Sequence, residues 1–185
     1  MLILASGSPR RHKLLSYILP DFAVVALPTS EDLPPGTHPK DGVEILAARK
    51  AGAVHDLYPD DAVVGADTVV AAGAEVFGKP EDEADAKRML KALSGREHTV
   101  FTGVAILYPG GSCVFSQEAA VRFKELADRE IDAYIATREP MDKAGAYGIQ
   151  EKGALLVEGI IGDFYNVMGL PLCRLNKELA GLGLI

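Results

Sequence analysis

Between Ala62 and Ala72 the chain reads AVVGADTVVAA, an almost unbroken run of small and β-branched apolar residues. A strand of this kind asks for cover on both faces, as in sheets flanked by helices, rather than for one wet face. The run therefore points to an α/β architecture. Asp67 interrupts it, with Val63 and Val64 before and Val69 and Val70 after, and Thr68 follows directly. Carboxylates are almost never fully buried without a partner, and taking one out of water is costly unless it is paired or binds a metal. Asp67 is thus a candidate functional group. The alternative is an aspartate at a strand end, hydrogen-bonded to a turn.

The opening stretch, MLILASGSPRRHKLLSYI, has a related logic. Leu2 to Leu4 fill one buried strand, Ala5 to Ser8 form a small-residue turn, and Pro9 opens a helix with Ser8 as N-cap. Leu14 with Ile18, and Leu15 with Leu19, give that helix an apolar stripe. A strand delivering a helix N-terminus through a small turn favours anions. Arg10 and Arg11 have the wrong sign for the dipole. Either they are solvated, or a polyanion is held where they lie.

Composition excludes several classes. A chain of 185 residues with 48% hydrophobic and 24% charged residues is large enough for a sizeable core. No apolar run approaches the roughly 18 residues of a membrane span, and the N-terminus lacks the pattern of a signal peptide. Cys113 and Cys173 stand far apart without metal or redox spacing, so a reducing cytoplasm is expected. A net charge of −7 argues against general nucleic-acid binding but allows a phosphorylated ligand in a local basic pocket.

Elsewhere, Phe22 to Leu27 reads as a strand, followed by a polar loop holding Glu31. A helix is expected from about Gly42 to Leu57, capped by Asp41, with Val43, Leu46, Ala47, Val54 and Leu57 on its apolar face. Lys50 lies in the middle of that face. It either snorkels to water or meets an anion in a cleft. Gly73-Ala74 reads as a hairpin turn, and the returning strand Glu75–Gly78 ends in Lys79-Pro80. A helix over Glu81–Ser94 follows. Strands are expected at Val100–Tyr108 and Cys113–Phe123, then a helix capped by Asp128. Met141 to Gln150 reads as a loop in which Lys143 and Gln150 can face a ligand. A strand over Ala154–Ile161 and a helix opened by Pro171 close the chain. The pattern is an α/β chain with a mixed, twisted sheet flanked by helices, without repeats or a linker that would split 1–185 into independent domains.

LASGSPRR, the lysine of AARKA, GADTVV, the GKP at Gly78 to Pro80, LSGREHTVFTGVA and DKAGAYGIQ occur in that order over essentially the whole chain. Together they resemble the Maf family of nucleoside triphosphate pyrophosphatases, and the KAGAYGIQ form resembles its dTTP and UTP branch. The resemblance implies an elongated, two-lobed fold of the inosine-triphosphatase type with a central cleft. It implies a divalent cation, Mg²⁺ or Mn²⁺, and allows a homodimer. By the same resemblance Asp67 is the catalytic acid and proton acceptor. Ser8, Arg11, Glu31, Lys50 and Lys79 surround the triphosphate, and Arg10, Thr68 and Gln150 select the base. Around Glu31 the sequence LPTSEDLPP departs from the family's usual pattern, which leaves Asp32 as a rival.

The residue types suit that chemistry. Hydrolysis between the α- and β-phosphates needs an oriented or deprotonated water and cations for the charge on the leaving pyrophosphate. Asp67 serves as general base or as metal ligand with Glu31, and carboxylates with phosphate oxygens suit Mg²⁺. Gln150 carries a donor and an acceptor, matching the edge of uracil or thymine. The expected role is removal of dTTP, UTP and, further, CTP or modified uridine triphosphates from the nucleotide pool. The alternatives are a nucleotide-binding regulator of cell division or septum formation without turnover, a nucleotidyltransferase, whose usual Gly-Gly turn is missing here, and a structural scaffold.

Overall fold

A computed structural model describes the whole chain, Met1 to Ile185. The order is β1 (Leu2–Ala5), α1 (Pro9–Leu15), β2 (Ala23–Val24), α2 (Pro39–His55), β3 (Ala62–Ala72), β4 (Glu75–Phe77) and α3 (Glu83–Leu93). Then come β5 (Glu97–Tyr108), β6 (Gly111–Phe123), α4 (Asp128–Ile135), three 3-10 turns, β7 (Val157–Gly162), α5 (Phe164–Val167) and α6 (Leu172–Gly181). The seven strands form one mixed sheet in the order β2-β1-β3-β5-β6-β7, with β4 paired to β3 off that path. β1 runs parallel to both neighbours, in register from Leu2↔Ala62 to Ala5↔Gly65 with β3. β4 lies antiparallel to β3, and β7 antiparallel to β6. No helix is long and apolar enough to cross a membrane.

The chain condenses into two compact units, each built from separate stretches of sequence. The first comprises Met1–Thr68, Thr102–Gln117 and Gly169–Ile185; the second comprises Val69–Phe101 and Glu118–Met168. In the first, Ile3 and Ala5 of β1, Val63 of β3, Ala105 of β5 and Ala47, Ala51 and Val54 of α2 form one core. The closeness of α2 and β3 is set by a glycine. A Cβ on Gly65 would lie 2.5 Å from the Ala47 carbonyl oxygen and 2.7 Å from the Ala51 nitrogen. In the second unit, Phe77, Leu90, Leu93, Phe123, Ile131, Tyr134 and Tyr147 belong to a larger core.

Several boundaries differ from those expected. α2 starts at Pro39, not Gly42: His38 is the N-cap and its Nδ1 accepts the Lys40 N–H at 3.2 Å. Pro39 at the first position supplies the pre-set φ, so Asp41 falls inside the first turn, where it suits the dipole. α2 ends at His55, and Leu57, expected on its apolar face, is 62% exposed. α1 stops at Leu15, so Ile18 and Leu19 sit in the turn beyond it. The strand expected over Phe22–Leu27 is only Ala23–Val24, because only Ile3 and Leu4 of β1 pair with it. Asp128 is the first residue of α4 rather than its cap. The Ala127 N–H at the cap position is satisfied by the Glu130 carboxylate, 2.9 Å away. Ala154 to Leu156 complete a 3-10 turn, and the strand begins at Val157.

Candidate functional site

The first unit carries the group of residues centred on Asp67. β1 ends at Ala5, paired with Gly65, and β3 continues past it, so Asp67 lies just beyond the C-terminal end of β1. That is the end at which open α/β sheets bind ligands. There the chain leaves β1 through Ser6, Gly7 and Ser8 and enters α1. Ser8 is half-buried and caps α1, its Oγ accepting the Arg11 N–H at 3.5 Å.

Asp67 is buried, with its side chain 11% exposed, and its Oδ1 accepts a charge-assisted hydrogen bond from Lys50 Nζ at 2.5 Å. Lys50 Nζ also donates to Glu31 Oε1 at 3.3 Å. The lysine centred on the apolar face of α2 therefore does not snorkel: it turns to the sheet and bridges two carboxylates. Of the two acids in LPTSEDLPP, Glu31 reaches this lysine, whereas Asp32 accepts from Ser30 Oγ at 2.9 Å. Glu31 itself stays 72% exposed at its side chain.

Arg11 is committed to the protein. Its Nε donates to the Gly169 carbonyl at 2.8 Å, Nη2 to Thr68 Oγ1 at 2.9 Å and Nη1 to Ser6 Oγ at 3.4 Å. Thr68 Oγ1 in turn shares a hydrogen bond with Thr102 Oγ1 at 2.9 Å. Burial pulls the Arg11 guanidinium below its ordinary value, and the negative charge of Asp67 opposes that pull. Arg10, next to it at the opening of α1, is half-buried.

The second unit holds the other expected residues. Lys79 is exposed two positions past the end of β4. Gln150 is exposed at the start of the 3-10 turn Glu151–Leu156. Lys143 folds back on its own loop, where Nζ donates to the Glu139 carbonyl at 2.5 Å and to Asp142 Oδ1 at 2.7 Å.

Sequence reasoning did not find Ser6, Thr102 or Gly169. Thr102 had a readable signal, a hydroxyl inside the apolar run VFTGVAIL that needs a partner when buried. The Gly169 carbonyl had none, because a backbone acceptor leaves no mark in the sequence. No group of three or more His, Cys, Asp and Glu side chains is placed to hold a metal. Asp67 and Glu31 both reach the Lys50 ammonium, and carboxylate oxygens are donors of the type that hard divalent cations take.

The solved structure of a HAM1 protein from Coxiella burnetii has the same kind of fold, with a TM-score of 0.50 at 15% identity, covering 97% of this chain and 98% of that one. Curated relatives are much closer in sequence. A protein of Geobacillus sp. (strain WCH70) named dTTP/UTP pyrophosphatase is 50% identical over 182 residues, 98% of this chain and 98% of its own length. One of the same name from Bacillus cytotoxicus is 49% identical over 96% of this chain and 93% of its own. The model of the Maf-like protein family matches residues 1–182. With that match over nearly the full sequence, the chain belongs to the Maf-like protein family.

Proposed function

We propose that this protein hydrolyses dTTP and UTP, and further CTP or modified uridine triphosphates, to the nucleoside monophosphate and pyrophosphate. The observation that carries the reading is the buried Asp67 carboxylate held by Lys50, with Glu31 on the same ammonium, at the ligand-binding end of the parallel strands. The names of the relatives at 49–50% identity agree with it.

In this reading water attacks the α-phosphorus, the bond to the bridging α–β oxygen breaks, and Asp67 accepts the proton lost by the water. Lys50 holds Asp67 oriented before substrate arrives, and its charge then offsets the developing negative charge. Ser8 at the opening of α1 receives a phosphate oxygen. Arg11 fixes Thr68. Lys79 is assigned to the charge of the triphosphate, Lys143 to substrate contact, and Arg10, Thr68 and Gln150 to the base. Asp67 and Glu31 would hold a divalent cation, Mg²⁺ or Mn²⁺, which when bound supplies Lewis-acid polarisation of the phosphates. The biological role that follows is clearing unwanted pyrimidine triphosphates from the cytoplasmic pool.

The test is a panel of dTTP, UTP, CTP, ATP and GTP, with and without Mg²⁺, scored for pyrophosphate and monophosphate. Release from dTTP and UTP is expected, falling about 10²–10⁴-fold in Asp67→Asn, the range for loss of a general base. Binding of nucleotide without release by the wild type would instead identify a non-hydrolytic binder.

A further inference from the structure

In the second unit, one histidine lies deep in the core. His98 on β5 is 2% exposed, and its Nε2 lies 2.8 Å from Tyr147 Oη. The His98, Phe123 and Tyr147 rings meet edge to face, with centroids 4.9 Å apart for His98–Phe123 and 4.7 Å for Phe123–Tyr147. His98 Nδ1 is buried with no hydrogen-bond partner. An unpartnered polar atom in a core is destabilising. Three apolar rings would pack as well without that cost, so packing alone does not account for an imidazole and a phenol here. What an imidazole–phenol pair adds is direction.

Tyr147 belongs to the segment Lys143–Glu151, which carries Gln150. The backbone of this segment is unusual: Gly145, Ala146 and Glu151 have φ of 69°, 57° and 56°. For a residue with a Cβ the left-handed region is strained, because the Cβ crowds the backbone carbonyl oxygen. Such conformations persist only where the surroundings over-determine them. Three hydrogen bonds do so. The Gly145 N–H donates to the Gly78 carbonyl at 3.0 Å, the Gly148 N–H to Tyr134 Oη at 3.0 Å, and Tyr147 Oη pairs with His98. A Cβ on Gly145 would come within 2.9 Å of Val70 Cγ2, so the segment also lies close against β3. Strands β3 and β5, helix α4 and the end of β4 thus grip one loop. His98 supplies the deepest of these anchors, and burial, which lowers its pKa to about 4, keeps it neutral.

We propose that His98 and Tyr147 are positioning residues: their buried hydrogen bond fixes the strained backbone of Lys143–Glu151 and thereby the direction in which Gln150 meets the nucleobase. The proposal rests on the pyrophosphatase reading above. Neither residue touches substrate. They act through Gln150, so the quantity they control is base discrimination.

The test compares wild type, Tyr147→Phe and the double variant His98→Phe/Tyr147→Phe. It reads kcat and KM for UTP and CTP, the melting temperature, and amide hydrogen exchange of residues 143–151 without nucleotide. In Tyr147→Phe the UTP-over-CTP ratio of kcat/KM falls about tenfold, mainly through KM, and exchange in 143–151 rises about tenfold, the change that 1.4 kcal/mol of lost local stability gives. The double variant removes both polar groups, so its melting temperature returns toward wild type while the ratio stays low. A ratio, KM and exchange rate all at wild-type values in Tyr147→Phe overturns the proposal. So does a double variant that regains the ratio together with the melting temperature, because packing would then be the whole effect. If the wild type releases no pyrophosphate from either nucleotide, the pyrophosphatase reading fails, and hydrogen exchange alone decides whether the pair orders the loop.

Discussion

Removing the ammonium of Lys50 while keeping its stem, as in Lys50→Met, leaves the buried Asp67 carboxylate without the donor at its Oδ1. Such a loss is costly because the remaining charge is buried, and partial exposure of the lysine moderates it. Urea melts should show a loss of about 1–3 kcal/mol, and pyrophosphate release should fall as steeply as in Asp67→Asn. Glu31→Gln makes the contrast. Its side chain is largely exposed, so stability should stay within about 0.5 kcal/mol of wild type while Mg²⁺-supported turnover drops. His98 gives a pH signature. Burial lowers its pKa from 6.5 to about 4 in the folded chain. Between those two values the unfolded chain binds the proton and the folded chain does not, so stability falls as pH drops through that window. The loss levels off below about pH 4, at about 3 kcal/mol. Melts of His98→Phe over the same range should lack this slope. Asp67 and Lys50 were legible in the sequence because each is a charge set in an apolar pattern. His98 was not, since EHTVF carries no cue to what the imidazole meets.

At the scale of elements, the contact between α2 and β3 positions the chemistry. Lys50 lies one residue before Ala51, and Asp67 two residues after Gly65, so the spacing at Gly65 sets whether the two charges meet. Gly65→Ala should push α2 off the sheet, lowering stability by about 1–3 kcal/mol, the range for overfilling a tight interface. It should also reduce turnover more than a surface change of equal stability cost, a comparison that melts and pyrophosphate assays on matched variants make directly. Elements with strong periodic signals were readable: β1, β3, α3, the β5–β6 hairpin and α6 lie close to where their apolar patterns put them. The β2 strand shrank to two residues, since propensity names a candidate strand and pairing decides its length. The stretch from Glu139 to Leu156 resisted reading because left-handed residues and 3-10 turns are fixed there by distant partners such as Tyr134 and Gly78.

For the molecule as a whole, the reading predicts linkage between nucleotide and stability. A dUTP analogue with a non-hydrolysable α–β bridge, at about a hundredfold its Kd with Mg²⁺, should stabilise the folded chain by about 2.7 kcal/mol. For a chain of 185 residues that is a rise of about 5–10 °C in Tm. Replacing Mg²⁺ with EDTA should remove most of it, as differential scanning fluorimetry can show. The interleaving of the two units was not legible, because a contact pattern that returns Gly169–Ile185 to the unit of Met1 arises only when the sheet assembles. That interleaving has a consequence during biosynthesis. On the ribosome, every stretch of the second unit has been translated by Met168, whereas the first unit still awaits α6, with its buried Leu175 and Leu179. The sequence of the unit bearing Asp67 is therefore completed last, since Leu175 and Leu179 are translated after Met168.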